Sequence, residues 1–86
     1  MSSLDQIKAQ VRAVAQQATT LAGQLTQISG KLTPMVGQIT QAIGGTNDGA
    51  DKEMSLAFQQ ADTAVKQAAL SMQIAAKKAN DWAANA

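Results

Sequence analysis

The chain has 86 residues and a net charge of +1, with neither Cys nor His, which excludes disulfides and thiolate or imidazole metal sites. Phe58 and Trp82 are its only aromatic residues, so it offers no platform on which bases would stack, and its balanced charge disfavours phosphate binding. The sequence therefore predicts a protein that is not an enzyme, with no catalytic, metal-binding or cofactor-binding residue, no cofactor and no nucleic-acid partner.

The first half of the chain carries apolar residues at alternating steps of three and four, which predicts one long helix over about residues 3–43. These seam residues are Leu4, Ile7, Val11, Val14, Ala18, Leu21, Leu25, Ile28, Leu32, Met35 and Ile39. Pro34 lacks a backbone donor and clashes with the preceding turn, so a break into three segments is the alternative. Because the spacing continues across Pro34, we expect a continuous helix with a possible kink there.

A dense cluster of turn residues separates the two halves and predicts a turn over residues 44–48. Gly44 or Gly45 is expected to end the first helix. The second half again has apolar steps of four and three, which predicts a helix over about residues 49–83. Its seam residues are Met54, Phe58, Ala61, Val65, Ala68, Met72, Ala75, Ala79 and Trp82.

The two seams match each other in antiparallel register about a centre inside the predicted turn. Ile39 would face Met54 at one end and Val11 would face Trp82 at the other, with each intervening pair in phase. We therefore predict an all-α fold, a single antiparallel helical hairpin over residues 1–86 with heptad packing.

A hairpin of this size buries a modest core, and apolar residues outside the seam suggest that it docks onto a second hairpin to give a four-helix bundle. The expected partner interface consists of Val36, Ile43, Leu56, Leu70, Ile74 and Trp82. The alternative is that these are ordinary scattered surface residues. Trp82 has two interpretations, as a core residue opposite Val11 or as an anchor for a partner.

A short helical hairpin without cysteine resembles the WXG-type, early-secreted-antigen-like family of small type VII (ESX) secretion proteins. The segment that matches the family's Trp-X-Gly turn is Ile43-Gly44-Gly45, in which the glycine is kept and the Trp is an Ile. The family's tail motif, Tyr-X-X-X-Asp/Glu, has no counterpart. The resemblance implies a homodimer or a heterodimer with a paralogous hairpin, exported by a membrane ATPase, or a targeting partner for a larger secreted effector.

The start of the chain shows no secretory signal peptide, so we expect a protein that is cytoplasmic before export and then secreted without a cleaved signal. Two other functions remain open. One is a structural subunit of a helical filament, although such subunits usually have a Pro-rich turn. The other is membrane contact by an amphipathic helix, which would favour a strongly basic face, yet only Lys31 is charged between Arg12 and Asp48.

Overall fold

A computed structural model describes residues 3–43 and 49–86 of the chain, with only the backbone described for 49–51. Helix α1 spans Ser3–Ile43 and helix α2 spans Gly49–Asn85. They pack side by side along their length in a hairpin measuring 67 × 17 × 14 Å. The predicted all-α antiparallel hairpin is confirmed. The predicted turn at 44–48, including Gly44 and Gly45, lies outside the described residues.

Helix α1 runs through Pro34 as a single element. Pro34 is exposed, so the residue that lacks a backbone donor lies outside the seam. Continuous packing against α2 favours an unbroken helix, because a break would separate the half-buried Leu32 from Val36 and Ile39.

The antiparallel register agrees closely with the sequence prediction. At the open end the Arg12 guanidinium donates to the carbonyl oxygen of Ala83 over 3.4 Å, one residue along each helix from the expected pairing of Val11 with Trp82. Near the turn, the hydroxyls of Thr40 and Ser55 lie 3.1 Å apart.

The rotation of the helices about their own axes differs from the prediction, because only one of the two predicted rows on each helix lies in the seam. Val11, Ala18, Leu25, Leu32 and Ile39 on α1 are buried or half-buried as predicted, and so are Phe58, Val65, Met72 and Ala79 on α2. Of the other predicted row on each helix, Ala68 alone is half-buried and the rest are exposed. The second row of each seam is made of smaller or more polar residues. It comprises Ala15, Ala22, Ser29 and Val36 on α1, and Ser55, Asp62, Ala69, Ala76 and Ala83 on α2.

Small side chains explain this rotation. The core cluster consists of Ala15, Ala18 and Ala76, with Met72 and Ala79 packed against it. Alanine-on-alanine contacts let two helix axes approach closely, which multiplies dispersion contacts along the whole interface. Among the described residues no large side chain is fully buried within the hairpin. The predicted second row, which contains most of the larger side chains, is therefore left at the surface.

The hairpin consequently has two broad faces of opposite character. The polar face follows the seam on one side and consists of Arg12, Thr19, Thr26, Thr33 and Thr40 with Gln59, Lys66, Gln73 and Asn80. The other face, which we call the apolar face, contains the displaced rows of α1 and α2.

Candidate interaction surface

A ridge of large apolar side chains runs along α1 on the apolar face. We define the ridge as Ile7, Val14, Leu21, Ile28 and Met35, which recur at every seventh residue. Their exposed fractions range from 41% for Met35 to 59% for Val14. At 1.5 Å per residue the ridge is about 42 Å long. A contiguous apolar strip of this length on a small protein marks an interaction surface.

The corresponding positions of α2 form a low row of small side chains. We define the alanine row as Ala61, Ala68 and Ala75, which have the same seven-residue spacing. Met54 and Trp82 stand at its two ends, 43% and 45% exposed. A shallow depression of about 250 Å³ lies over Ala61 and its neighbours Ala57 and Phe58.

Helix geometry places the ridge and the alanine row on the same side of the hairpin. Leu21 and Ile28 directly precede the buried seam residues Ala22 and Ser29, and Ala61 and Ala75 likewise directly precede Asp62 and Ala76, as the burial pattern shows. A step of one residue rotates a side chain by about 100° around its helix. Because α1 and α2 run in opposite directions, this rotation carries the preceding residues of both helices to one broad side.

The register sets ridge and row side by side. Thr33 and Asp62, bonded across the seam, fix the local level of the two helices. Asp62 also bonds Ser29, so it lies at the level of residues 29–33 of α1. Ala61 is then level with the stretch between Ile28 and Met35, and Ala68 with the stretch between Leu21 and Ile28. The large side chains of α1 therefore alternate in height with the small side chains of α2.

A buried polar group holds the helices in this rotation. Asp62 is 8% exposed and Ser29 is 6% exposed. The carboxylate of Asp62 accepts hydrogen bonds from Ser29 Oγ at 2.8 Å and Thr33 Oγ1 at 3.0 Å, and it pairs with Lys66 Nζ at 3.1 Å. Rotating either helix towards the predicted seam would withdraw Ser29 from Asp62. A polar layer of this kind fixes register and orientation, because an unpaired buried carboxylate is costly.

The same contacts keep the carboxylate charged. The hydrogen bond from Ser29, with those from Lys66 and Thr33, holds the pKa of Asp62 below its usual value of 3.8, although burial acts in the opposite direction. The side chain is a structural anion at neutral pH, since its acceptors are used within the hairpin.

The sequence-predicted interface residues fall in three places on the hairpin. Val36 and Ile43 are half-buried and continue the seven-residue spacing of the buried Ala22 and Ser29, so both lie in a seam row and not on the apolar face. Leu56, Leu70 and Ile74 are exposed on the outer side of α2, away from the ridge. Trp82 lies on the apolar face. Its interpretation as a core residue is wrong, because the buried neighbour is Ala83 at 1% exposure.

Sequence reasoning missed the ridge as a surface. Ile7, Val14, Leu21, Ile28 and Met35 were expected between the helices because they are large and correctly spaced. A usable signal was present in the neighbouring rows. Threonine recurs every seven residues directly after one seam row, whereas the residues before the other row are apolar, so only one side is suited to water.

No group of three or more acidic side chains able to hold a metal ion occurs within residues 3–43 and 49–86. Neither described helix has a stretch that is both long and apolar enough to cross a membrane. Comparison with known proteins finds no matching family model, curated protein or solved structure.

Proposed function

We propose that this chain is a non-catalytic helical-hairpin protein that acts by docking its apolar face onto another helical hairpin, and that it is exported by a type VII secretion system. The observation that supports docking is the ridge, an uncharged strip of large side chains about 42 Å long beside a row of alanines. Export is supported by the sequence resemblance, through Ile43-Gly44-Gly45 and the hairpin architecture.

The surface fits a helical partner better than a small ligand or an extended peptide. Helices dock through side chains repeated at three- and four-residue steps, and a seven-residue repeat over four turns or more is the spacing of bundle cores. The half-buried Leu25, Leu32 and Val65 next to the ridge would complete such a core once a partner covered them.

Export can be tested with an epitope-tagged chain in the native host, with and without its type VII ATPase. Cell and medium fractions are compared against a cytosolic lysis marker. We expect the chain in the medium only when the ATPase is present. Equal amounts in the medium of both strains would contradict export by this system. Leu21→Glu, compared with the matched Leu70→Glu on the outer side of α2, tests whether export requires the apolar face.

A structural subunit of a larger assembly is the second candidate. Leu70 and Ile74 are 57% and 48% exposed, and they lie one turn apart on the outer side of α2. Two apolar patches on different sides of one molecule are what an open, heterologous assembly requires. Sedimentation at increasing concentration would distinguish the candidates, because a filament subunit grows beyond a closed complex.

A further inference from the structure

The polar layer, which we define as Asp62, Ser29, Thr33 and Lys66, interrupts a seam that is otherwise apolar. Apart from Ser29 and Asp62, every described residue that is buried is an alanine. A buried carboxylate adds little to stability compared with an apolar residue of similar volume, and its best-attested use in helical bundles is to select one arrangement over another. Such a layer implies a competing arrangement, and the apolar rows of this hairpin supply one.

We infer that the hairpin has a second, closed rotation in which the ridge enters the seam, and that the polar layer holds the helices in the open rotation, in which the ridge is exposed. The polar layer therefore controls whether the docking surface is accessible. This role rests on the proposed docking function, whereas closure itself takes place within one chain.

The two rotations differ in which rows of side chains lie in the seam. The central rows contain Leu25 on α1 and Val65 on α2, and both residues are half-buried in the open rotation. The inner rows contain Ser29 and Asp62, and the outer rows are the ridge and the alanine row. Residues three or four positions apart are separated by about 50° around a helix, so rotating each helix by about 50° exchanges the inner rows for the outer rows. The central rows stay in the seam, so closure needs no change of register.

The heights of the side chains suit the closed rotation. The hydrogen bonds of the polar layer place Val65 near the level of Ile28. Ile28 therefore lies in height between Ala61 and Ala68, and rotation would carry it into the space between these small side chains. The shallow depression beside Ala61 lies near the level of Met35 in the same way. Closure thus buries large side chains that are 41–59% exposed in the open rotation.

The contacts of the polar layer oppose closure. Ser29 Oγ and Thr33 Oγ1 lie 2.8 and 3.0 Å from the carboxylate of Asp62, and a rotation of both helices by about 50° breaks these hydrogen bonds. Closure moves Ser29 and Asp62 towards water and gains apolar burial along the ridge in exchange. A partner that binds the ridge adds its contacts to the open rotation only, so it shifts the equilibrium the other way.

Ser29→Asp tests this control by placing a second carboxylate against Asp62. Two buried like charges disfavour the open rotation, whereas both carboxylates reach water in the closed rotation. Gln27→Asp is the matched control, because it adds the same charge to the same helix at an exposed position.

Cysteine labelling reports whether the ridge is covered, because the native chain has no Cys. Val14→Cys places a thiol on the ridge and Leu70→Cys places one on the outer side of α2, where the native side chains are 59% and 57% exposed. We expect Ser29→Asp to slow labelling at position 14 about tenfold and to leave position 70 unchanged, with Gln27→Asp changing neither. Unchanged labelling at position 14 would overturn the inference. Faster labelling at both positions would also overturn it, because the helices would then separate instead of rotating.

Trp82 provides a second measurement without an added Cys. It is the only Trp of the chain and is 45% exposed at the end of the alanine row. Closure carries its ring into the seam near Val11, so Ser29→Asp should shift its fluorescence emission to shorter wavelength. Emission at the native wavelength or a longer one would contradict closure.

The dependence on concentration and on export separates closure from docking. Protection of position 14 that appears only at higher protein concentration would show that a second copy covers the ridge and would overturn closure. Protection by Ser29→Asp together with full export of that variant would support closure and contradict a need for the ridge in export. Labelling unaffected by Ser29→Asp, with export lost in Leu21→Glu, would overturn closure and leave the proposed function standing.

Discussion

The polar face and the apolar face of the hairpin differ in how far the contacts within one chain satisfy their side chains. On the polar face the hydroxyls of Thr19 and Thr26 donate to the carbonyl oxygens four residues earlier, at 3.0 Å. Hydrogen bonds from Thr33 and Arg12 also cross to α2 on this face. On the apolar face the ridge contacts water. One chain therefore forms the hydrogen bonds of its polar face by itself, but it leaves the large side chains of its apolar face uncovered.

The comparison indicates why the rows with smaller side chains form the common seam of the two helices. A lone hairpin would gain more by burying Ile28 and Leu21 than by burying Ser29 and Ala22, because apolar burial scales with area. Exposing the larger row is favourable when a partner covers it. The rotation observed in the hairpin is thus suited to a half of a larger bundle.

The largest expected effect separates two neighbouring alanines of α2. Ala76 is 5% exposed in the seam, whereas Ala75 belongs to the alanine row. We expect Ala76→Leu to lower the free energy of unfolding by about 1–3 kcal/mol, because overpacking forces the helices apart. Ala75→Leu should cost the hairpin less, and we expect it to weaken the proposed docking of the apolar face instead. Thermal and urea unfolding by circular dichroism, with sedimentation of both variants, measures the contrast.

Equal loss of stability from Ala75→Leu and Ala76→Leu, measured at a concentration where the chain is monomeric, would contradict the assignment of these residues to different faces. Measurements at several concentrations are needed, because any self-association would itself raise the melting temperature by mass action.

The polar layer provides the next largest effect. We expect Asp62→Ala to lower the melting temperature by less than Ala76→Leu does, because Ser29 then keeps a buried hydroxyl without its carboxylate partner. Adding Ser29→Ala should recover part of the loss, since removing both partners leaves no unsatisfied group. A double-mutant cycle of unfolding free energies measures this coupling. Strictly additive effects would show that the layer does not act as a unit.

Sequence periodicity was sufficient for the fold and the register but not for the rotation. Steps of three and four identify an apolar stripe three rows wide on each helix, and two rows suffice for a seam. The choice between them depends on Ser29 and Asp62, whose hydrogen bond joins residues 33 positions apart. A period analysis assigns such residues to solvent. The ridge was therefore expected in the core, although its spacing was identified correctly.

Acid should weaken the polar layer in a defined pH range. The pKa of Asp62 is lowered in the folded chain, so its contribution to stability is fully present above the usual value of 3.8. It is lost as the pH falls below 3.8 and through the folded-state value, because the protonated carboxyl no longer pairs with Lys66. We expect the melting temperature of the native chain to fall more steeply in this range than that of Asp62→Ala. Parallel curves for the two chains would contradict a role for Asp62.

The smallest effect concerns neither face and so separates helix propensity from packing. Gly30 lies within α1, and a Cβ built on it meets nothing within 4 Å. Replacing a helix-interior glycine by alanine reduces the entropy of the unfolded chain, so Gly30→Ala should raise the free energy of unfolding by about 0.5–1 kcal/mol. Gly23→Ala is a matched control, since its added Cβ also meets open space.

Both glycine variants should leave the proposed docking of the apolar face unchanged when the folded hairpin is compared, because neither changes the ridge or the alanine row. If Gly30→Ala instead weakened association, the outer side of α1 would belong to the interface and the apolar face would not be its only site. Unfolding in urea at low concentration and sedimentation at high concentration separate the two quantities. A gain in stability without a change in association would show that Gly30 lowers the stability of α1 through its backbone and that this side of α1 takes no part in binding a partner.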